Sequence, residues 1–264
     1  MQYDLNKYRA ILFDVDGVLR RGSQLIPDVA ETLSKLREQE VAIGVVTNNS
    51  GSGAQAIAQY LAKLGVFFQP HEVISAVDAS AMWIAKHGPG KTAYVLGSQQ
   101  VRDVMREHDI QVIEAPETVD YRCDYLIVGA CREVNYEMLT RALRVGLQGA
   151  TFLAINLDRM YPGTDGQCPA AGAMAGAVRG MLGRVPDISI GKPEPHLGVL
   201  ALERFGVTAD ETLMVGDTLA TDILMGRRLG MDTAFVLTGN DSRADITPDN
   251  APTFVIASLA ELAP

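Results

Sequence analysis

An apolar run that ends in two aspartates, Ala10–Leu19 (AILFDVDGVL), constrains this chain more than any other stretch. Four apolar residues followed by Asp-Val-Asp-Gly are typical of a buried parallel strand that stops where Gly17 lets the backbone turn. Asp14 and Asp16 then lie at the carboxyl edge of a sheet, where open α/β sheets bind ligands. Their side chains point the same way and repel each other unless a cation lies between them. The pattern indicates either a Mg²⁺ site, since Mg²⁺ takes one or two carboxylates plus phosphate and water, or an acidic turn.

The composition is that of a globular protein with one large or two modest domains: 264 residues, of which 47% are hydrophobic and 21% charged. A net charge of −9 provides no basic field for a nucleic-acid partner. The start, Met1–Arg9, carries charges and no long apolar core, and no later run reaches spanning length, so we expect neither a signal peptide nor a membrane partner. Three cysteines, an odd number without zinc spacing, fit reduced thiols in the cytoplasm (Cys123, Cys131 and Cys168).

Strand and helix patterns alternate along the whole chain, which predicts an α/β fold. In the first and the last part of the chain, apolar strands end in polar clusters. The polar stretch Arg20–Ile26, which follows the first strand, is predicted to be a loop. The outer strands are predicted at Ala10–Phe13, Val41–Val46, Val73–Ser75, Ile188–Ile190, Thr212–Val215, Thr233–Val236 and Phe254–Ile256. Between them lies a second strand–helix series, which we interpret as an inserted domain. We therefore predict a core of residues 1–78 and 186–264, and an insertion of residues 79–185.

Polar clusters follow three further strands of the predicted core. Thr47 and Asn48 follow the second strand, Lys192 lies between a glycine and a proline before a helix, and Asp217 and Asp222 follow Thr212–Val215. Taken singly, these residues read as helix caps, a solvated lysine and turn residues. Taken together, they supply acids, a hydroxyl, an amide and a lysine at carboxyl ends of parallel strands.

In this set and order, the motifs resemble those of the haloacid dehalogenase superfamily of phosphohydrolases. The segments 154–158 (AINLD) and 168–173 (CPAAGA) are similar to the NagD and para-nitrophenyl phosphatase branch, although that branch commonly has Thr-Asn-Pro-Asp where this chain has Ile155–Asp158. The resemblance covers essentially the whole chain. It implies a doubly wound, Rossmannoid parallel sheet with an inserted α/β cap, and a Mg²⁺-dependent phosphatase.

The resemblance also implies roles for individual residues. Asp14 is the expected nucleophile, and Asp16 the expected general acid and base, which would offer Mg²⁺ only its backbone carbonyl. The other metal ligands would be Asp14, Asp217 and, directly or through water, Asp222. The phosphoryl group would be held by Thr47, the Asn48 amide and Lys192. In the cap, Asn156 and Asp158 either meet the leaving group or form an Asx turn.

The implied substrate is a small phosphorylated metabolite: a sugar phosphate, glycerol phosphate, phosphoglycolate, nucleoside monophosphate or aryl phosphate. The sequence leaves the ester and the oligomeric state open, and a phosphotransferase or mutase of the same superfamily would share Asp14 and Asp16.

Two other classes of protein compete with this interpretation. Gly51-x-Gly53 follows a strand and opens a helix, as in a dinucleotide-binding oxidoreductase, and Glu72 lies where the ribose-binding acid is expected. That interpretation leaves Asp14, Asp16 and Lys192 without a role. A calcium-binding EF-hand loop is excluded because its final glutamate position is Leu25.

Overall fold

The structure is a computed structural model that describes residues 5–88, 90–115, 117, 120–163 and 166–263. The first four residues of the charged segment Met1–Arg9 lie outside this description. The chain forms two compact units. The first comprises residues up to Thr47, Ala54–Ile74 and residues from Lys192 onward, and the second comprises Asn48–Gly53 and Ser75–Gly191. The second unit contains the predicted insertion 79–185 with a few more residues at each end, while division into separate domains stays a prediction.

The strands, in chain order, are β1 (Ala10–Phe13), β2 (Arg20–Arg21), β3 (Gln24–Leu25), β4 (Ala42–Thr47), β5 (Val73–Ser75), β6 (Thr92–Leu96), β7 (Gln111–Val112), β8 (Tyr125–Val128), β9 (Thr151–Ala154), β10 (Met160–Gly163), β11 (Gly166–Pro169), β12 (Ile188–Ser189), β13 (Thr212–Gly216), β14 (Asp232–Val236) and β15 (Phe254–Ile256). The helices are α1 (Val29–Glu38), α2 (Ala54–Lys63), α3 (Ala76–His87), α4 (Gln99–Glu107), α5 (Tyr136–Leu147), α6 (Ala171–Leu182), α7 (His196–Phe205) and α8 (Leu224–Leu229). Within the described residues, no helix is both long and apolar enough to cross a membrane.

A six-stranded sheet in the order β15-β14-β13-β1-β4-β5 forms the centre of the first unit. Strand β1 is fully buried and pairs in parallel with β13 and β4, and β14 and β15 extend the parallel sheet. Because parallel neighbours share one carboxyl edge, the residues that follow β1, β4 and β13 emerge side by side.

Helices cover both faces of this sheet. On one face, Ile11 and Phe13 pack in a buried cluster with apolar residues of α1 and α2, including Leu33 and Leu61. On the other face, Gly44 of β4 admits the Phe205 ring of α7, since a Cβ at this glycine would lie 2.5 Å from it. The prediction of a doubly wound parallel α/β sheet is therefore confirmed.

The second unit contains its own five-stranded parallel sheet, in the order β12-β9-β8-β6-β7. Strands β6, β8 and β9 bury their side chains against α5 and α6 in a separate apolar cluster, which includes Leu126, Val145 and Val178. An antiparallel hairpin of β10 and β11 adds to this unit.

Two local predictions were wrong, and one hairpin was not predicted. The stretch Arg20–Ile26 contains the hairpin of β2 and β3, where a loop was expected. The hairpin β10–β11 was not predicted, because its residues do not alternate between apolar and polar. Strand β12 was assigned to the core, yet it pairs with β9 of the second unit, and sequence pattern alone does not name the partner of a two-residue strand.

Candidate active site

Three carboxylates meet at the carboxyl edge of the first unit's sheet. Asp14 follows β1, and its backbone N–H donates to Val215 O of β13 at 3.0 Å. This hydrogen bond holds the backbone of Asp14 against the neighbouring strand. Asp217 follows β13, and Asp222 lies in a π-helical turn, Leu219–Ile223. One carboxylate oxygen of each acid lies within 4.8 Å of those of the other two. The structure thus brings together three of the predicted site residues.

The ammonium group of Lys192 lies against two of these acids. Its Nζ atom is 2.6 Å from Asp14 Oδ1, 2.6 Å from Asp222 Oδ1, and 2.9 Å from the carbonyl oxygen of Val46, to which it donates. Lys192 is only 3% exposed. Thr47, the last residue of β4, is also buried and follows Val46 directly. The predicted lysine and hydroxyl therefore belong to the same unit and edge as the acids.

Glycines allow the acids to pack this closely. A Cβ at Gly239 would lie 1.8 Å from Asp217 Oδ2, and one at Gly17 would lie 2.1 Å from the same atom. Gly17 also has a φ of +79°, a conformation that side chains disfavour. The backbone N–H of Asn240 donates to Asp217 Oδ2 at 2.8 Å. The loop after β14 was missed by the sequence analysis, although Gly239-Asn240 is a further polar segment after a strand.

Burial and mutual repulsion dominate the titration of these groups. Burial raises the pKa of Asp217 to about 8, and the charges of Asp222 and Asp14 add to the rise. Burial likewise raises the pKa of Asp222 to about 7, although Lys192 acts in the opposite direction. Burial alone would lower the pKa of Lys192, but the carboxylates of Asp14 and Asp222 raise it above its ordinary value. The lysine is therefore cationic at neutral pH. The raised pKa values of Asp217 and Asp222 mean that these acids are stabilised by a proton or by another cation close to them.

The carboxylate of Asp16 has a different partner from the three clustered acids. Its Oδ1 atom lies 2.8 Å from Arg20 Nη2, and both side chains are partly buried. Burial raises the pKa of Asp16, Arg20 opposes that rise, and the charge of Asp14 adds to it. Arg20 was not among the predicted site residues, because its pairing with Asp16 depends on the conformation of the intervening turn.

Three further predicted residues are joined to one another in the second unit. The Asn48 Nδ2 atom donates to both carboxylate oxygens of Asp158, at 3.0 and 3.2 Å. The side chain of Asn156 donates to the backbone carbonyl of Asn48 and accepts from Asp158 N at 3.1 Å. The last contact is the Asx turn that was one of the two expectations for this segment.

The loop 48–53 also bears on the dinucleotide-binding alternative. The backbone N–H groups of Gly51 and Ser52 donate to Asn49 Oδ1, at 3.0 and 2.9 Å. These groups are the ones that a Gly-x-Gly turn would offer to a pyrophosphate, and here they are engaged within the loop.

Comparison with known proteins agrees with this geometry. Residues 11–111 match the model of the haloacid dehalogenase-like hydrolases, and residues 189–262 match a second model described as HAD-hydrolase-like. An acid sugar phosphatase of Staphylococcus aureus is 34% identical over 94% of this chain and 93% of its own length. The chain belongs to the haloacid dehalogenase-like hydrolase family.

Solved structures place this hydrolase in the NagD-like branch of the family. The 4-nitrophenylphosphatase of Thermotoga maritima superposes with a TM-score of 0.90 and 30% identity, over 99% of this chain and 98% of its own. NagD of Escherichia coli superposes with a TM-score of 0.86 and 30% identity, over 96% and 98%. The predicted family and branch are thus confirmed, and the relatives support a hydrolase that acts on phosphate esters.

The donor set of the hydrolase fits a hard divalent cation. Asp14, Asp217 and Asp222 offer only oxygen atoms, which Mg²⁺ and Ca²⁺ prefer, and no nitrogen or sulfur ligand takes part in the cluster found among the described residues. Three buried acids share a single ammonium group, which lies against Asp14 and Asp222. A bound cation would take the place of the protons that the raised pKa values of Asp217 and Asp222 otherwise retain.

Proposed function

We propose that this protein is a Mg²⁺-dependent phosphomonoester hydrolase that works through an aspartyl-phosphate intermediate. The observation that carries the proposal is the buried cluster of Asp14, Asp217, Asp222 and Lys192 at one sheet edge. A carboxylate nucleophile is weak unless its substrate is held in line and the developing charge is offset. The cluster supplies a carboxylate, an ammonium group and a set of metal ligands within a few ångströms.

The first half-reaction transfers the phosphoryl group to the protein. A carboxylate oxygen of Asp14 forms a bond to phosphorus while the bond from phosphorus to the ester oxygen breaks. The electron pair of the broken bond goes to the ester oxygen, which takes the proton of Asp16 and leaves as an alcohol. Burial raises the pKa of Asp16, which favours the protonated form that a general acid needs.

The second half-reaction regenerates the nucleophile. Asp16, now a carboxylate, takes a proton from water, whose oxygen attacks the phosphorus of the aspartyl-phosphate. The bond between phosphorus and the Asp14 oxygen breaks, which releases inorganic phosphate and restores both aspartates to their starting states.

The remaining residues bind the metal and the phosphoryl oxygens in this proposal. Mg²⁺ would be held by the carboxylates of Asp14 and Asp217, the backbone carbonyl of Asp16, and Asp222 directly or through water, and it supplies charge neutralisation. Lys192 is a fixed cation for one phosphoryl oxygen, and the Thr47 hydroxyl and the Asn48 amide are the proposed further donors.

We propose a small phosphorylated metabolite as the substrate, with a sugar phosphate first among the candidates. The acid sugar phosphatase relative, which matches nearly the whole chain, supports this choice. We further propose a cytoplasmic location, which agrees with the three free cysteines among the described residues.

Release of inorganic phosphate tests the proposal. The native protein would be incubated with para-nitrophenyl phosphate and with a panel of sugar, glycerol and nucleoside phosphates, in Mg²⁺ and in chelator. Asp14→Asn should be inactive yet folded, whereas Asp210→Asn, at an exposed position, should match the native rate. Phosphate found on an added alcohol instead of in solution would identify a phosphotransferase, and native protein inactive on the whole panel would refute the proposal.

A further inference from the structure

The side chain of Arg20 is held by three groups of the first unit. Its Nη2 atom lies 2.8 Å from Asp16 Oδ1, and its Nη1 atom donates to the carbonyl oxygen of Gly22. The guanidinium carbon lies 5.1 Å from the centre of the Tyr60 ring in α2, within the range of a cation–π contact. Only 19% of the Arg20 side chain is exposed. An ordinary surface arginine has more freedom than this one.

The backbone brings Arg20 to Asp16. The N–H of Gly17 donates to Arg20 O at 2.8 Å, and the N–H of Arg20 donates to Val15 O at 3.0 Å, which closes a tight turn. Asp16 and Arg20 also form an isolated β-bridge. These backbone contacts bring Asp16 and Arg20 together across the turn, and their side chains meet at 2.8 Å.

We infer that Arg20 is a positioning residue, which holds the Asp16 carboxylate in the orientation that serves the leaving oxygen. The inference rests on the proposed function, in which Asp16 gives its proton to the ester oxygen while only its backbone carbonyl faces the cation. Asp16 lies two residues after Asp14, so a cation held by Asp14 and Asp217 would also attract the Asp16 carboxylate. Arg20 offers the Asp16 carboxylate a different partner. Its planar guanidinium contacts Asp16 and the carbonyl oxygen of Gly22 at the same time, a geometry that the ammonium group of a lysine matches less well.

A distinctive dependence on the leaving group follows. An alkyl phosphate releases a basic alkoxide that needs a proton in the transition state, whereas para-nitrophenolate leaves readily without one. General acid catalysis contributes roughly 100- to 10,000-fold, so we expect Arg20→Met to lose about 10- to 100-fold in kcat on an alkyl phosphate. On para-nitrophenyl phosphate the loss should stay within about threefold, because Asp14 and Lys192 are untouched. A general disturbance of the fold would lower both rates equally.

The test compares kcat on glycerol phosphate and on para-nitrophenyl phosphate for the native protein, Arg20→Met and Arg20→Lys. Arg20→Lys should recover part of the rate on the alkyl ester, since it restores a cation beside Asp16. Arg21→Met is the matched control: this arginine lies on the same two-residue strand, but its guanidinium donates to Thr238 O instead of Asp16. It should not change the ratio of the two rates.

A crystal structure of Arg20→Met gives a second reading that does not depend on turnover. The Asp16 carboxylate should leave its present position, and an Asp16 that keeps its orientation without Arg20 would overturn the inference. An unchanged ratio of rates in Arg20→Met, with the native protein active, would overturn the inference alone. A native protein inactive on both esters would instead refute the proposed function, and the position of Asp16 would still decide what Arg20 does.

Discussion

Replacement of Lys192 by methionine tests the electrostatic logic of the site most directly. Methionine retains much of the apolar stem but removes the ammonium group, which lies 2.6 Å from both Asp14 and Asp222 at a position only 3% exposed. Removing one partner of a buried ion pair typically costs about 3–5 kcal/mol, because the other charge stays buried and uncompensated. Asp14 and Asp222 both lose a partner here, so we expect a loss in stability within that range.

Urea unfolding in chelator measures this loss as a lower midpoint at an unchanged slope. Mg²⁺ should restore part of the stability, since it supplies the missing positive charge to the same carboxylates. The double variant Lys192→Met/Asp222→Asn is the matched control, because it removes one of the stranded charges and should be more stable than Lys192→Met alone. The reasoning would be refuted if Lys192→Met lost less than about 1 kcal/mol of stability. It would also be refuted if the loss in the double variant equalled the sum of the losses in Lys192→Met and in Asp222→Asn measured separately.

The remaining predictions concern packing and pH. Gly239→Ala should weaken Mg²⁺ binding, measured by calorimetry, because the new Cβ would lie 1.8 Å from Asp217 Oδ2; binding at the native affinity would contradict the packing argument. Gly44→Ala should cost about 1–3 kcal/mol in urea unfolding through overpacking against Phe205, and Phe205→Leu in the same chain should recover part of it. Because the pKa values of Asp217 and Asp222 are raised to about 8 and about 7, the protonated forms favour the folded state, so stability in chelator should fall as the pH rises toward 8. Mg²⁺ should therefore raise the melting temperature more at mildly alkaline than at acidic pH, and a gain independent of pH would contradict this assignment.

The sequence predicts the sheet well because its strands are buried on both faces. Continuous apolar runs such as Ala10–Phe13 identify such strands without any knowledge of their partners. The polar residues that follow β1 and β13 converge because parallel strands share an edge, so Asp14, Asp217 and Asp222 could be grouped before the fold was known. Lys192 was grouped with them on the same argument and does contact Asp14 and Asp222, although the strand before it, β12, belongs to the other sheet.

What escaped prediction depends on pairing between distant residues or on turn geometry. Strand β12 is two residues long, and its pairing with β9 joins positions about 35 residues apart in sequence, as for Ser189 and Ala154. The contact of Arg20 with Asp16 needs the turn that follows β1, and the bonds of Asn48 with Asp158 join residues 110 apart. Residue type alone did not show whether Asn156 and Asp158 meet a leaving group or each other.

The balance of charge in the first unit bears on the order in which ligands bind. Three buried carboxylates face one buried ammonium group, and a phosphate monoester brings about two more negative charges at neutral pH. Repulsion between such groups at a few ångströms is strong where water is excluded. A phosphate oxygen could therefore approach Lys192 and Asp14 only after the acids have been neutralised. At a pH above about 8, where protons no longer neutralise Asp217 and Asp222, we accordingly expect inorganic phosphate to bind measurably in Mg²⁺ and far more weakly in chelator. Equal affinity in both conditions would mean that the acids are neutralised by their own protons, and the cluster would then not serve as a cation site.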